Sequence, residues 1–350
     1  MAINTQSILS TLETKIASMD SNTPLDDMIV NIKSYQEVGG VVSIQYDSSG
    51  AMPILDSAQA GLVLYSASDT ALYGFNGNTW ATVGNAAAAG GDAVSWTVDL
   101  SNVTYDNVSF NITSQQANPT ALTLSADGTK MYVGGNTNLN EKIDQYSLST
   151  AFDLSTASYD SVSFASLDIQ ELYFSTDGTK LFYINLTTVF QNSLTTPFDL
   201  STASYDSVFL NVSSQENVCR ALAFNDDGTK MYVAGSGNDT VYQYSLSTAF
   251  DLSTASYDSI GFSVSSVGIP YGIRFNTDGT KMYIQGSTSD QIYQYSLSTG
   301  FDVSTASSDG VTFAVTQGPA PESLTFSADG TKMYIIDNSS DAVYQYSTGL

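Results

Sequence analysis

The sequence contains no histidine and a single cysteine, Cys219. The absence of histidine excludes a Ser-His-Asp triad, a histidine general base and histidine zinc ligands. One cysteine forms neither an intramolecular disulfide nor a thiolate metal site, so the chain is not a disulfide-stabilised secreted fold. We expect Cys219 to be a small buried apolar residue in front of a strand at 220–224, and not a reactive thiol.

Basic residues are also scarce, with 10 Lys and Arg against 35 Asp and Glu and a net charge of −25. Nucleic acids and anionic membrane surfaces require clusters of Lys and Arg. Half of the basic residues here are the lysines of one repeated turn, which spreads them apart. Residues 1–20 lack the basic start and apolar core of a signal peptide, and no apolar run is long enough to span a membrane. We therefore predict no nucleic-acid partner, no membrane insertion and no signal-dependent export.

The chain does contain a repeat, Asp-Gly-Thr-Lys followed by an apolar, an aromatic and an apolar residue. Apolar runs rich in β-forming residues precede and follow each copy. Asp-Gly between two such runs indicates a hairpin, because glycine adopts positive φ without steric cost. The copies begin at Asp127, Asp177, Asp227, Asp278 and Asp329, in steps of 50 or 51 residues.

Each period supplies two further strands after the hairpin. The third, as in 241–246, alternates with its tyrosines on one face. A copied loop, Phe-Asp-Leu-Ser-Thr-Ala in 152–157, leads to the fourth, as in 159–164. Four strands in about 50 residues is typical of a β-propeller blade. A lone blade cannot bury both faces, so the blades must stack around an axis.

The two ends of the repeat region indicate a closed ring. The last repeat stops after its third strand, at 343–347, and the missing fourth strand occurs before the first hairpin, at 105–110. An N-terminal strand that completes the last blade leaves no free edge there. An open solenoid would need distinct capping repeats, and the sequence has none. We predict a mainly β protein with a five-bladed β-propeller closed by an N-terminal strand, preceded by a short helical segment and a small β-meander module.

The residues before the propeller contain two short amphipathic helices by pattern, at 4–20 and 24–36, whose apolar stripes need a partner in this chain or in other subunits. A strand at 41–46 and a three-stranded meander at 61–83 follow, with Asn-Gly as a hairpin signal. The predicted domains are a helical anchor or oligomerisation segment at 1–38, a small β-rich module at 39–84, a flexible linker at 85–93 and the propeller at 94–350.

Carboxylates are the remaining candidates for chemistry. Glu171, Glu216 and Glu322 lie at or just before the starts of three innermost strands, where two of them could meet on the axis as a glycosidase pair. We favour the alternative that they are solvated acids at strand starts. The two arginines, Arg220 and Arg274, adjoin or lie in innermost strands. Each either forms a structural ion pair with these glutamates or contacts an anionic ligand.

The repeated polar residues have structural interpretations. The turn aspartate is expected to accept backbone N–H bonds. The aspartates on either side of the copied loop either bind Ca²⁺ or cap a short turn. The tyrosine rows suit carbohydrate stacking, but their alternation predicts blade core. Because the blades are nearly identical and histidine is absent, we predict no catalytic, cofactor or metal site and no enzyme. The pairs are Asp153/Asp160, Asp199/Asp206, Asp251/Asp258 and Asp302/Asp309, and the tyrosines include Tyr242, Tyr244, Tyr293 and Tyr295.

Two stretches resemble known proteins. The segment 61–80, with Ala-Leu-Tyr-Gly-Phe-Asn-Gly-Asn-Thr-Trp, resembles a β-element of tailed-phage fibres and appendages. The propeller repeat resembles tandem repeats of marine bacterial and phage proteins and, more loosely, the hairpins of lactonase-like propellers. The resemblances imply a virion appendage in which residues 1–84 dock on other virion proteins. They also imply that the propeller is displayed on the particle, and a host surface glycan is a candidate partner.

Three functions follow from these observations. The first is a non-enzymatic virion structural protein for adhesion or decoration, self-associated with a trimer favoured. The second is a propeller glycoside hydrolase or lactonase-like enzyme, which the missing histidine and the near-identical blades count against. The third is a bacterial surface adhesion module, which the missing signal peptide counts against.

Overall fold

The computed structural model describes residues 96–135, 141–166 and 168–350, together with the backbone of five strands nearer the N-terminus. The chain divides into two compact units, Met1–Asp92 and Ala93–Leu350. Among the described residues, no helix has the length and apolar character needed to cross a bilayer.

The first unit contains one sheet of five strands in sequence order, in which β2 and β3 are parallel and the other neighbours antiparallel. The predicted meander is confirmed as β3 to β5. The predicted helices lie outside the described residues except for 35–36. There the helix prediction is wrong, because this stretch pairs with β2 across Gly-Gly, a strong hairpin sequence. The strands are β1 (Tyr35–Val38), β2 (Val41–Tyr46), β3 (Val63–Ser66), β4 (Ala71–Phe75) and β5 (Trp80–Asn85).

The second unit is a propeller of five four-stranded antiparallel sheets. Blades 1 to 4 are consecutive along the chain, and blade 5 takes its outermost strand, β6 (Thr104–Asn111), from the N-terminal side. Blade 1 is β7 (Pro119–Leu124), β8 (Lys130–Gly135), β9 (Lys142–Leu148) and β10 (Ala157–Ala165); blade 2 is β11 (Glu171–Phe174), β12 (Lys180–Ile184), β13 (Thr188–Leu194) and β14 (Ala203–Asn211); blade 3 is β15 (Cys219–Phe224), β16 (Lys230–Gly235), β17 (Thr240–Leu246) and β18 (Ala255–Ser263); blade 4 is β19 (Pro270–Phe275), β20 (Lys281–Gly286), β21 (Gln291–Leu297) and β22 (Ala306–Ala314); blade 5 is β23 (Pro321–Phe326), β24 (Lys332–Asp337), β25 (Ala342–Ser347) and β6.

The five innermost strands, β7, β11, β15, β19 and β23, contact each other in sequence, and β23 contacts β7 to close the ring. Closure is sealed at the outer edge of blade 5, where Tyr105 pairs with Tyr346 and Phe110 with Val343. The predicted five-bladed propeller with its N-terminal closing strand is confirmed, and the open solenoid is excluded.

Each Asp-Gly-Thr-Lys hairpin is held by its aspartate. In blade 1, Oδ1 of Asp127 accepts from the Thr129 N–H at 3.0 Å and from the Thr129 hydroxyl at 2.9 Å, so the predicted turn-forming role is confirmed. Gly128 has φ +68°, and a Cβ at this position would lie 2.5 Å from the Phe152 ring of the copied loop. Glycine is required both for the turn and for this close approach.

The copied loop contains one turn of 3₁₀ helix, capped by its aspartate. Asp153 accepts from the Ser155 N–H at 3.0 Å, and Leu154 is buried beneath it. Asp160 instead pairs with Lys130, 2.8 Å away. The two carboxylates considered as calcium ligands therefore serve separate structural contacts. The 3₁₀ turns are Leu100–Asn102, Leu154–Thr156, Leu200–Thr202, Leu252–Thr254 and Val303–Thr305.

One glutamine in each blade joins that blade to the next. In blade 1, Nε2 of Gln145 donates to Asp160 at 2.8 Å, and Oε1 accepts the backbone N–H of Leu200 in blade 2 at 2.9 Å. The bond recurs at all five interfaces, including the one that closes the ring. The glutamines are Gln145, Gln191, Gln243, Gln294 and Gln345.

The tyrosines lie mostly between blades. Tyr244 and Tyr295 are each 3% exposed, which confirms the core interpretation for them, whereas Tyr242 and Tyr293 are partly buried. A second set, one residue after the methionine of the repeat, is fully buried and donates its hydroxyl to a backbone carbonyl of the next blade. These are Tyr132, Tyr232, Tyr283 and Tyr334.

Candidate functional site at the hub

The blades differ most clearly at one position of the innermost strand, seven residues before the turn aspartate. The scaffold around this position repeats, yet its occupant is a different residue in every blade. Three of the five side chains, from consecutive blades, contact each other directly. We call the set the hub entrance: Thr120, Gln170, Arg220, Tyr271 and Glu322.

Arg220 is the cation of the hub entrance. Its Nη1 donates to Oε1 of Gln170, and its guanidinium lies over the Tyr271 ring, 5.4 Å from the centroid. Its Nε is buried and has no hydrogen-bond partner among the described residues. An arginine fixed on two sides, with an unused donor, is suited to bind an anion or a developing negative charge.

Glu322 is the acid of the hub entrance. Burial raises its pKa to about 8, although the positive charge of Arg220 acts in the opposite direction and Asp337 raises the pKa further. Among the described residues, no ion pair within 4.0 Å joins Glu322 to a cation. A carboxyl group with this pKa exchanges its proton near neutral pH, which is the range a general acid or base requires.

Below the entrance, Glu171 is fully buried. Its Oε1 accepts the Leu172 N–H at 3.0 Å, and its Oε2 accepts the Ser323 hydroxyl at 2.8 Å and lies 3.5 Å from Nη1 of Arg274. Burial raises the pKa of Glu171 to about 7, against the lowering effect of Arg274 and these hydrogen bonds. Every described contact of this carboxylate is internal.

Arg274 crosses the axis beside it. Its guanidinium donates to the carbonyls of Leu122 at 3.1 Å, Ile273 at 2.8 Å and Leu222 at 3.4 Å. Together with Glu171 and its Ser323 contact, these bonds bring all five blades into one buried network. The predicted ion pair is confirmed for Arg274, and it closes the inner part of the hub.

The prediction that the three glutamates are solvated is wrong. Glu171 and Glu216 have no exposed surface, and Glu322 is partly buried. Glu216 accepts the N–H groups of Val218 at 2.9 Å and Gly237 at 2.9 Å, so it ties two loops together away from the hub entrance. Glu171 and Glu322 lie in the innermost strands β11 and β23, which contact their neighbours around the axis, so their side chains are shielded from solvent.

Cys219 is fully buried next to Arg220, and its thiol pKa is raised by burial. The interpretation of Cys219 as a buried residue is confirmed, and the absence of reactivity stays a prediction. The sequence suggests an ion pair between Arg220 and one of the glutamates, which the described residues do not form, and it does not group the five positions of the hub entrance into one site. Aligning the five repeats on their turn aspartates would have shown five unlike residues in one column.

Comparison with family models and with curated proteins gives no match. Among solved structures, the chain is similar to a putative 6-phosphogluconolactonase from Bacteroides fragilis, with 13% identity, a TM-score of 0.42 and coverage of 63% of this chain and 64% of that one. It is similar to the periplasmic gluconolactonase of Pseudomonas aeruginosa, with 15% identity, a TM-score of 0.41 and coverage of 65% and 66%. It is also similar to the Swd1 β-propeller domain of Myceliophteria thermophila, with 9% identity, a TM-score of 0.42 and coverage of 70% of this chain and 99% of that one.

The chain thus spans just under two thirds of the length of the first two proteins, and at these identities the similarity concerns the propeller fold. The prediction that the protein is not an enzyme is nevertheless corrected. That prediction rested on near-identical blades and on the absence of histidine, and the first of these grounds fails at Arg220 and Glu322, which have no counterpart at the same position of the other blades. The chain is a β-propeller protein with an asymmetric polar hub.

Proposed function

We propose that the hub entrance binds a small oxygen-rich molecule and hydrolyses a lactone or a comparable ester. The observation that carries the proposal is that one ring of equivalent positions contains both a guanidinium group, that of Arg220, and a carboxyl group, that of Glu322. Arg220 offers an unused, fixed donor, and Glu322 has a pKa of about 8 without an ion-pair partner among the described residues. Tyr271 adds an aromatic face for a hydroxylated ligand, while the amide of Gln170 and the hydroxyl of Thr120 are engaged within the protein.

The two groups suit the two steps of lactone opening. The Glu322 carboxylate takes a proton from water as the water oxygen bonds to the carbonyl carbon, and the Arg220 guanidinium stabilises the resulting oxyanion. When the intermediate collapses, the bond between the acyl carbon and the ring oxygen breaks. Glu322 then returns its proton to the leaving oxygen, and the product is a hydroxy acid.

The second hub carboxylate supports a lactone over a glycoside. Glycoside hydrolysis uses two carboxyl groups that flank the scissile bond. Glu171, the other acid on the axis, has its oxygens engaged by Leu172, Ser323 and Arg274. One acid and one arginine remain at the entrance, and this set is sufficient for acyl transfer to water.

The test is hydrolysis of a panel of aldonolactones by the full-length protein, followed by alkali uptake at constant pH. We expect a rate that rises with pH to a midpoint near 8. Glu322→Gln should lower the rate by about 10²–10⁴-fold and Arg220→Met by about 10²–10³-fold. Asp177→Asn, at the opposite end of an innermost strand, keeps its turn acceptor and should leave the rate unchanged. Absence of hydrolysis across the panel, or equal rates in all variants, would overturn the proposal.

The virion location, the trimer and the docking of residues 1–84 on virion proteins stay predictions from the sequence. They concern mainly residues outside the described part of the chain.

A further inference from the structure

Arg220 and Glu322 lie in one ring of side chains, and the positive charge of Arg220 favours the ionised form of the Glu322 carboxyl group. They nevertheless form no ion pair within 4.0 Å in the described structure. Unrestrained groups of opposite charge in a partly buried site normally pair, because the low local dielectric strengthens their attraction. The two contacts of Arg220, with Gln170 and with Tyr271, show what holds the guanidinium in its position.

Gln170 provides that restraint. Its side chain is 3% exposed, and its Oε1 accepts the bond from Nη1 of Arg220. Its Nε2 donates to Oδ1 of Asp168 at 2.7 Å. Because a carboxylate only accepts hydrogen bonds, Asp168 fixes the amide so that the oxygen faces the arginine.

Asp168 is itself placed by the backbone. It has φ +48°, a conformation in which aspartate and asparagine are tolerated better than other non-glycine residues. Its N–H donates to Oε2 of Glu141 at 3.0 Å. Asp168 and Gln170 are thus set by the loop that enters blade 2, while Tyr271 of blade 4 stacks on the guanidinium from the other side.

We propose that Gln170, oriented by Asp168, is a positioning residue that keeps the Arg220 guanidinium apart from Glu322, so that both stay available at the hub entrance. The inference rests on the proposed function for its catalytic meaning. The position of Arg220 can be tested without any measurement of hydrolysis.

The quantity to measure is the pKa of Glu322, which depends on the charges around it. Arg220 lowers its pKa and Asp337, on β24, raises it, and burial is the largest influence. Asp337 is occupied by the N–H of Ala320 at 2.7 Å and the hydroxyl of Ser340 at 2.7 Å. Arg274, the other hub arginine, lies against Glu171. Release of Arg220 toward Glu322 is therefore the change that would lower the pKa of Glu322.

The experiment is NMR titration of the full-length protein labelled in glutamate and arginine. The Glu322 carboxyl signal is assigned with Glu322→Gln. The chain has two arginines, so the Arg274 Nε–H signal reports an intact hub while the Arg220 signal reports its restraint. We expect the Glu322 midpoint to fall by about one to three pH units in Gln170→Leu, as for a carboxyl that gains a cation, together with a changed Arg220 signal.

Two variants at Asp168 form a matched pair. They test the restraint even if the Arg274 signal shows that Gln170→Leu has disrupted the hub. Asp168→Asn keeps both the positive φ and an acceptor, and because Arg220 only donates, the Gln170 oxygen still faces it, so this variant should titrate as the wild type does. Asp168→Gly keeps the φ but removes the acceptor, and should lower the midpoint. An unchanged midpoint in Gln170→Leu or Asp168→Gly with the Arg274 signal intact would overturn the restraint. Lowered midpoints without lactone hydrolysis by the wild type would support the restraint and overturn the proposed function.

Discussion

Nη1 of Arg274 and Oε2 of Glu171 lie 3.5 Å apart on the axis of the ring, on innermost strands of blades 4 and 2. This pair fits because the residues that correspond to Glu171 in the other blades are small. They are Ala121, Ala221, Gly272 and Ser323. Glu171 and Arg274 thus occupy the centre of the ring, where the other blades contribute small residues. Five glutamates at this position would crowd the centre, so the blades have to differ there.

Replacing Arg274 by methionine should destabilise the propeller by about 3–5 kcal/mol, because Glu171 would remain buried without its cation. The measurement is the free energy of unfolding in urea at pH 7. The double variant Glu171→Gln with Arg274→Met should recover much of the loss, since no buried charge remains. A single variant as stable as the wild type would contradict the structural role of the pair.

Closure of the ring can be tested by truncation. A chain that begins at residue 93 keeps β6 in blade 5, and we expect it to melt cooperatively near the temperature of the full-length propeller. A chain that begins at residue 112 lacks β6 and therefore exposes the edge of β25. Exposed strand edges promote aggregation. Calorimetry and light scattering should separate the two, and equal behaviour would argue against a closing strand.

The fold was predictable because every blade repeats the same local signals. Asp-Gly-Thr-Lys fixes the hairpin, and the strand left over at 105–110 matches the strand missing after 343–347. The hub was harder, because Glu171, Arg220 and Glu322 each look like an isolated polar residue in a β-prone run. Their meaning depends on which face of the strand meets the axis and on small residues in distant blades. Neither property is local in sequence.

The interaction of Asp160 with Lys130 should contribute to acid sensitivity. Burial alone would raise the pKa of Asp160, but hydrogen bonds from Lys130, Ser147 and Gln145 outweigh it and lower the pKa below its ordinary value of 3.8. The folded state therefore binds this proton less tightly, so the stabilisation is present above pH 4 and disappears as the pH falls through the folded pKa.

Asp160→Asn should accordingly lower the free energy of unfolding by about 1 kcal/mol at pH 7. The difference from the wild type should vanish at pH values below the folded pKa of Asp160. Urea denaturation at a series of pH values measures it. Asp153→Asn is the matched control, because asparagine caps a helical turn as well as aspartate does. A pH-independent loss in Asp160→Asn would show that the charge of Asp160 is not involved.

Cys219 offers a reporter of opening at blade 3. It has no exposed surface, and burial raises the pKa of its thiol. Reaction requires an exposed thiolate, so we expect labelling by iodoacetamide to be slow in the folded protein and fast in urea. Gln191→Leu, which removes the bond from the Leu252 N–H of blade 3, should speed labelling of the folded protein. Rapid labelling of the wild type would contradict the buried position.

Glu322 should affect stability in the direction opposite to Asp160. Its folded pKa of about 8 lies above the ordinary glutamate value of 4.5, chiefly because of burial. The unfolded state therefore loses this proton first, and stability falls as the pH rises from about 4.5 to about 8. Glu322→Gln should match the wild type near pH 4 and be more stable than the wild type at pH 9. Urea denaturation at the two pH values tests this, with Asp177→Asn, in the turn at the opposite end of an innermost strand, as control. If Glu322→Gln gains no stability at high pH, the carboxyl is not held in its proton-bound form, and the midpoint near 8 expected for hydrolysis loses its physical basis.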